Sequence, residues 1–155
     1  MMLWLTDRRL AKLPLLSRLL LAVAGVFLLL PQAPAGEPAE EAFLRGKAAF
    51  ERRAFASALA AFDEALGHRP DHATYLLWAG RAAGRLAEQA GPLKAFSLAR
   101  RTRACFERAY ALAPRDPDIV TALAEFYEKA PGFMGGDASA ARRLRAELQA
   151  LPSAP

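Results

Sequence analysis

Two stretches of this chain share one spacing. From Gly46 the sequence runs twelve residues to Ala58, four to Phe62, three to Ala65 and five to Pro70, and Phe106, Ala109 and Pro114 repeat the last two intervals. Gly80 sits inside "YLLWAGRAAGRLAEQ" as Gly46 sits inside "FLRGKAAFERRAF". A recurring spacing constrains a fold strongly, because each unit must be one supersecondary element that buries its apolar face against the next.

The second unit is the longer one. Gly80 and Phe106 are 26 residues apart where Gly46 and Phe62 are 16 apart. The added residues keep a helical pattern on both sides of Gly91-Pro92, a glycine suited to ending one helix and a proline suited to starting the next. At 100° per residue, Ala95, Leu98, Ala99, Thr102, Cys105, Phe106, Ala109, Tyr110 and Ala113 gather on one side of the second of these helices, with Lys94, Arg100, Arg101, Arg103, Glu107 and Arg108 opposite. The third unit opens at Asp116-Pro117, an N-cap followed by proline at the first helical position, and places Ile119, Ala122, Leu123 and Phe126 as packing residues. Its helix stops at Ala130 before Pro131. A last helix, capped by Asp137, carries one apolar stripe, Ala141, Leu144, Leu148 and Leu151, as suits the end of a stack.

This pattern resembles the tetratricopeptide repeat, whose small residues let two antiparallel helices cross closely while an aromatic fills the gap and a proline ends the second helix. The resemblance implies an all-α fold of about three antiparallel hairpins, six helices, stacked as a short solenoid with an elongated middle repeat. The repeats fall at about residues 39–72, 73–115 and 116–152 of a domain spanning 36–155. The long middle repeat, "GRAAGRLAEQAGPLKAFSLARRTRACFERAYALAPRD", together with "EFYEKAPGFMGGD", looks like a group of exported bacterial tetratricopeptide repeat proteins, mostly without an assigned function. The resemblance implies a scaffold or adaptor that holds a segment of another protein in a concave groove.

Residues 1–35 read as a leader. Arg8, Arg9, Lys12 and Arg18 precede an uninterrupted apolar run from Leu19 to Leu30, followed by small residues at Ala33 and Ala35. That order is the grammar of a secretory signal peptide cleaved after Ala35, and the expected location is the periplasm. The run is short of the roughly 20 apolar residues a bilayer span needs, so the alternative, an uncleaved anchor, requires the segment before Arg18 to join it. Arg8-Arg9 makes a weak twin-arginine signal, with Ala11 and Lys12 where apolar residues are wanted. No cysteine follows the run to carry a lipid.

The lone Cys105 excludes an internal disulfide and reads as a small buried residue, or as a reactive thiol if Arg101 or Arg108 faces it. The formal charge of +5 drops to +2 once the leader's four basic residues and Asp7 are set aside. The remainder is uneven, since Arg81 to Arg115 holds eight basic residues against Glu88 and Glu107. A basic middle favours an anionic partner or merely solvates a helix face, and export argues against nucleic acid.

No catalytic set assembles. His68 and His72 are separated by Pro70 and a unit boundary, so they form no metal pair on one helical face, and Asp71 reads as an N-cap. No phosphate-binding glycine loop appears, and Ser57, Ser97, Ser139 and Ser153 have no histidine and carboxylate context. The expectation is a protein that is not an enzyme and has neither cofactor nor metal.

Two functional classes remain. In the preferred one, the chain binds a protein or peptide through a groove. On the helix from Ala73 to Ala90, Leu76, Ala79, Gly80, Ala83, Leu86, Ala87 and Ala90 define the packing side, leaving Trp78, Arg81, Arg85 and Glu88 as a stripe opposite. In a tetratricopeptide array that stripe faces the concave surface beside Lys47, Glu51 and Tyr127. Phe43 and Leu77 stand where lysines of the family's carboxylate clamp would be, so binding of a chaperone tail is not implied. Trp78 is then an anchor for an aromatic or acidic segment, or else it packs against the helix beginning at Pro92. In the second class, an envelope-associated protein rests Arg100, Arg103, Arg142 and Arg145 on an anionic membrane surface. The loop "PGFMGG" adds Phe133 and Met134, which either fold over the end of the core or form an apolar tip toward a partner or membrane. Oligomeric state is left open.

Overall fold

A computed structural model of the chain describes residues 37–150. The expected leader over 1–35 and Leu151, the last residue of the expected apolar stripe, lie outside the described residues. Among the described residues six helices form an all-α, repeat-like fold: α1 (Pro38–Glu51), α2 (Phe55–His68), α3 (Ala73–Glu88), α4 (Pro92–Leu112), α5 (Pro117–Lys129) and α6 (Ala138–Ala150), with a 3₁₀ turn over Gly132–Met134. Each helix packs on its neighbours in sequence, and α1, α3 and α5 also touch one another in series, so the odd helices lie side by side. Among the described residues no helix is long and apolar enough to cross a membrane.

The helix starts follow local chemistry. Pro38, Pro92 and Pro117 stand at first helical positions, where a missing N–H costs nothing. Asp116 Oδ1 accepts from the N–H of Asp118 at 2.9 Å and of Ile119 at 3.3 Å, and Asp137 Oδ1 accepts from those of Ser139 at 2.9 Å and Ala140 at 3.0 Å. The cap of α3 departs from expectation: His72, not Asp71, holds the position, its Nδ1 accepting from the N–H of Tyr75 at 3.4 Å. Asp71 lies one residue too early and instead pairs with Arg108 of α4.

The hairpins close on the glycine and phenylalanine pairs. A Cβ on Gly46 would stand 2.5 Å from the Phe62 ring, and one on Gly80 would stand 2.5 Å from the Phe106 ring. Phe62 is wholly buried and Phe106 nearly so. Only glycine lets the facing helix bring its ring this close to the backbone.

Helix α3 is central. Its Tyr75, Ala79, Ala82 and Ala83 join a core with α1 and α2, while Leu76 and Leu77 join a second core with Phe106, Ile119, Val120, Leu123 and Leu144. Tyr75, Leu77 and Ala82 lie outside the packing side expected from sequence, yet all are buried. A helix flanked by neighbours on both sides buries far more than one stripe. On α6, Ala140, Ala141 and Leu144 are buried and the rest faces outward apart from half-buried Leu148. Cys105 is half-buried beside Gly80, and burial pushes its thiol pKa up despite nearby Arg101. That environment makes a weaker nucleophile than a free thiol.

Candidate functional site

A depression of about 610 Å³ lies against α3, α4 and α5. Gly80 and Gly84 are one turn apart on α3 and both line it; the Phe106 ring fills the space beside Gly80, whereas Gly84 meets only Thr102, at 3.7 Å. Trp78, Phe126, Ala87, Ala122 and Met134 supply apolar surface, while Arg81, Arg85, Glu88, Glu125 and Lys129 supply charge. Thr102 is buried, its hydroxyl donating to the Leu98 carbonyl at 3.0 Å, so it is satisfied within its own helix.

The charges are not equivalent. Arg85 pairs with Glu88 at 3.0 Å and Lys129 with Glu125 at 2.9 Å, both exposed pairs worth about 0–1 kcal/mol. The Lys129 hydrogen bond holds the Glu125 carboxyl below its ordinary range, with a smaller contribution from Arg81. Arg81 and Lys47 form no ion pair among the described residues. Both instead lie over the Trp78 ring, the guanidinium carbon 5.0 Å and the Lys47 nitrogen 4.7 Å from its centroid, each an attraction of about 0.5–1 kcal/mol at an exposed site.

Trp78 is half-buried, and its aromatic neighbours all come from the first hairpin. It contacts Phe50 edge-on at 5.4 Å, Phe62 at 6.1 Å and Phe43 at 6.5 Å, all on the first hairpin. It also packs against the cluster that includes Leu98 of α4, the helix beginning at Pro92. The aromatic side chains that claim it come from α1 and α2, and the part left uncovered faces the groove.

Of the stripe residues expected to meet, Trp78, Arg81, Arg85 and Glu88 all line the depression. Lys47 reaches it through the Trp78 ring. Glu51 closes α1 as an exposed residue and is not part of the lining. Tyr127 lies elsewhere, in a smaller recess of about 240 Å³ with Glu107, Tyr110, Leu144 and Glu147. Its hydroxyl donates to Glu107 Oε1 at 2.6 Å, where Arg103 also donates at 2.7 Å, and the Arg103 guanidinium sits 5.7 Å from the Tyr127 centroid. Burial first, and then the bond to Glu107, push the Tyr127 pKa up to about 12. Burial alone would raise Glu107, but the hydrogen bonds from Tyr127 and Arg103 outweigh it and hold that carboxyl low.

Sequence reasoning missed what α5 gives the groove: Thr121, Ala122, Glu125, Phe126 and Lys129. The steps 121, 125 and 129 follow one helical face, a signal present in the sequence but indistinguishable there from a solvated stripe.

The loop residues divide. Phe133 is 75% exposed, whereas Met134 is half-buried and lines the groove. Gly135 adopts φ of 100°, and a Cβ on Gly136 would collide with the Ala130 carbonyl oxygen. The Asp137 N–H donates back to the Tyr127 carbonyl at 2.9 Å, so the two glycines let the chain double back and start α6.

Of the four arginines expected to form a basic outer face, Arg103 is held by Glu107 and Arg145 by Glu128 at 3.0 Å. Among the described residues no group of three or more histidine, cysteine, aspartate or glutamate side chains gathers in metal-binding geometry. No family model matches the chain, and no curated protein matches it.

Proposed function

We propose that this chain is a non-enzymatic binding scaffold of tetratricopeptide type, exported to the bacterial envelope, that holds a segment of another protein against α3 and α5. The carrying observation is the depression of about 610 Å³, with apolar surface from Trp78, Ala122 and Phe126 between charged residues of two odd helices. The two glycine–phenylalanine crossings and the side-by-side odd helices support the repeat reading. The basic, apolar leader supports export.

The partner segment presents an acidic side chain beside Trp78. Arg81 and Lys47 share that ring and form no ion pair among the described residues, so a carboxylate arriving there meets two cations without having to displace an existing partner. An apolar residue of the same segment sits on Phe126 and Ala122. This is the division of labour seen in peptide grooves, where an anchor in an apolar pocket gives affinity and charged residues set orientation.

Capture from crosslinked cells tests this reading. Thr121→Arg with Arg81→Glu should lose the partner while leaving the melting temperature nearly unchanged, and Arg142→Glu on the outer helix should keep it. Undiminished capture by the groove variant would contradict the reading.

A further inference from the structure

Five large apolar side chains among the described residues are exposed, and three of them gather at one place. Leu93 is 91% exposed, Phe133 75% and Phe96 39%. Phe96 and Phe133 line the same recess, with Arg100, Arg103 and Ala104, and Leu93 lies one turn before Phe96 on the same face of α4. The 3₁₀ turn carrying Phe133 packs directly on α4. This apolar surface is distinct from the α3–α5 groove, whose walls include none of these three residues.

The charge around the patch is basic. Lys94 and Arg100 are exposed and form no ion pair among the described residues, while Arg103 is held by Glu107. Consecutive helices alternate in direction, so the α1–α2, α3–α4 and α5–α6 turns share one end of the stack. Exposed Arg52 and Arg53 belong to that end, against Glu51, Glu88, Glu128 and Asp137, of which Glu88 is paired with Arg85 and Glu128 with Arg145. Asp137 is already engaged in capping α6.

From this arrangement we infer that the Leu93, Phe96 and Phe133 tips dock the domain on an anionic bilayer surface, with Lys94, Arg100, Arg52 and Arg53 over the headgroups. Three side chains are too few for a second copy of the chain, since a stable protein interface buries about 800 Å² per partner. A self-contact would also face cations with cations. Separate apolar tips on a loop and a first helical turn suit the acyl boundary, where each inserts alone. Exposed basic residues near an anionic leaflet add an attraction that falls off within a Debye length of the surface. The basic and apolar leader would deliver the chain to a membrane in the first place.

The test uses the full chain with Cys105→Ala, and an environment-sensitive nitrobenzoxadiazole probe at Phe133→Cys, Leu93→Cys or, as the control, Leu112→Cys. Leu112 is also exposed, but it ends α4 at the other end of the stack. Because the probe reports only its own position, binding through the leader does not mimic docking. With vesicles containing phosphatidylglycerol, the probes at 133 and 93 should shift to the blue and be quenched by nitroxide-labelled acyl chains. The probe at 112 should do neither. The shift should vanish with pure phosphatidylcholine, in high salt, and with Lys94→Glu plus Arg100→Glu. Unshifted probes at 133 and 93, an equal shift at 112, or a blue shift that rises with protein concentration without lipid would each overturn the inference, the last in favour of self-association.

Discussion

Gly80 lies so close beneath Phe106 that a Cβ there would stand 2.5 Å from the ring. Gly84, one turn further along α3, has nothing nearer than Thr102 at 3.7 Å. The same substitution therefore has opposite expected signs at two glycines of one helix. Gly84→Ala should stabilise by about 0.5–1 kcal/mol through helix propensity alone. Gly80→Ala should cost about 1–3 kcal/mol, because the methyl forces the Phe106 ring and its helix away from the crossing. Phe106→Leu added to Gly80→Ala should recover part of that loss. Denaturant titration of the three variants checks the expectation, and equal effects at both glycines would mean that the helices do not cross at Gly80.

The turn from α1 to α2 contains a residue in an unfavoured conformation. Arg53 has φ of 59°, with its N–H donating to the Phe50 carbonyl at 2.9 Å and the next N–H, from Ala54, donating to the Ala49 carbonyl at 2.9 Å. This is the Schellman arrangement, which ordinarily carries glycine. Arg53→Gly should raise stability by about 1 kcal/mol, since the left-handed region costs a side-chain-bearing residue roughly 1–2 kcal/mol. A lower melting temperature would show that the turn has another geometry.

The α5–α6 loop separates structural residues from exposed ones. Gly136→Ala forces a methyl into the Ala130 carbonyl and should lower the melting temperature by several degrees. Phe133→Ser should leave it within about 2–3 °C, because exposed substitutions usually stay within about 0.5 kcal/mol. Thermal melts of both variants distinguish a loop held by backbone packing from one held by its aromatic side chain.

Tyr127 links stability to alkaline pH. Its folded pKa of about 12 exceeds the ordinary 10.0, so at high pH the folded state keeps a proton that the unfolded state has released. The contribution is fully present below pH 10 and is lost as pH rises toward 12. Tyr127→Phe should therefore flatten the fall in stability over that window. Spectrophotometric titration should also lose its latest phenolate, and an unchanged titration would mean that the hydroxyl does not face Glu107.

Much of the fold was legible because its signals are local. The intervals ending in Pro70 and Pro114, the caps at Asp116 and Asp137, and the glycine–phenylalanine pairs all act within one hairpin. The groove was legible on α3, where Trp78, Arg81, Arg85 and Glu88 share a face. It was misread on α5 because Tyr127 adjoins Phe126 in sequence but points about 100° away on the helix. Phe126 enters the groove, and Tyr127 turns toward Glu107. The neighbours of Trp78 were equally hidden, since Phe43, Phe50 and Phe62 reach it from other helices at distances in sequence that periodicity does not encode.

The central claim is that a partner segment lies between α3 and α5, and a photocrosslinking residue at Thr121 tests it most directly. Thr121 lines the groove and is half-buried, so a benzoylphenylalanine there reaches only what enters. Irradiation in cells should give one dominant adduct from position 121 and none from an equivalent probe at Leu112, and Arg81→Glu should abolish that adduct without changing the amount of protein. An adduct at Leu112 but not at Thr121, or one at Thr121 that persists undiminished with Arg81→Glu, would contradict the account.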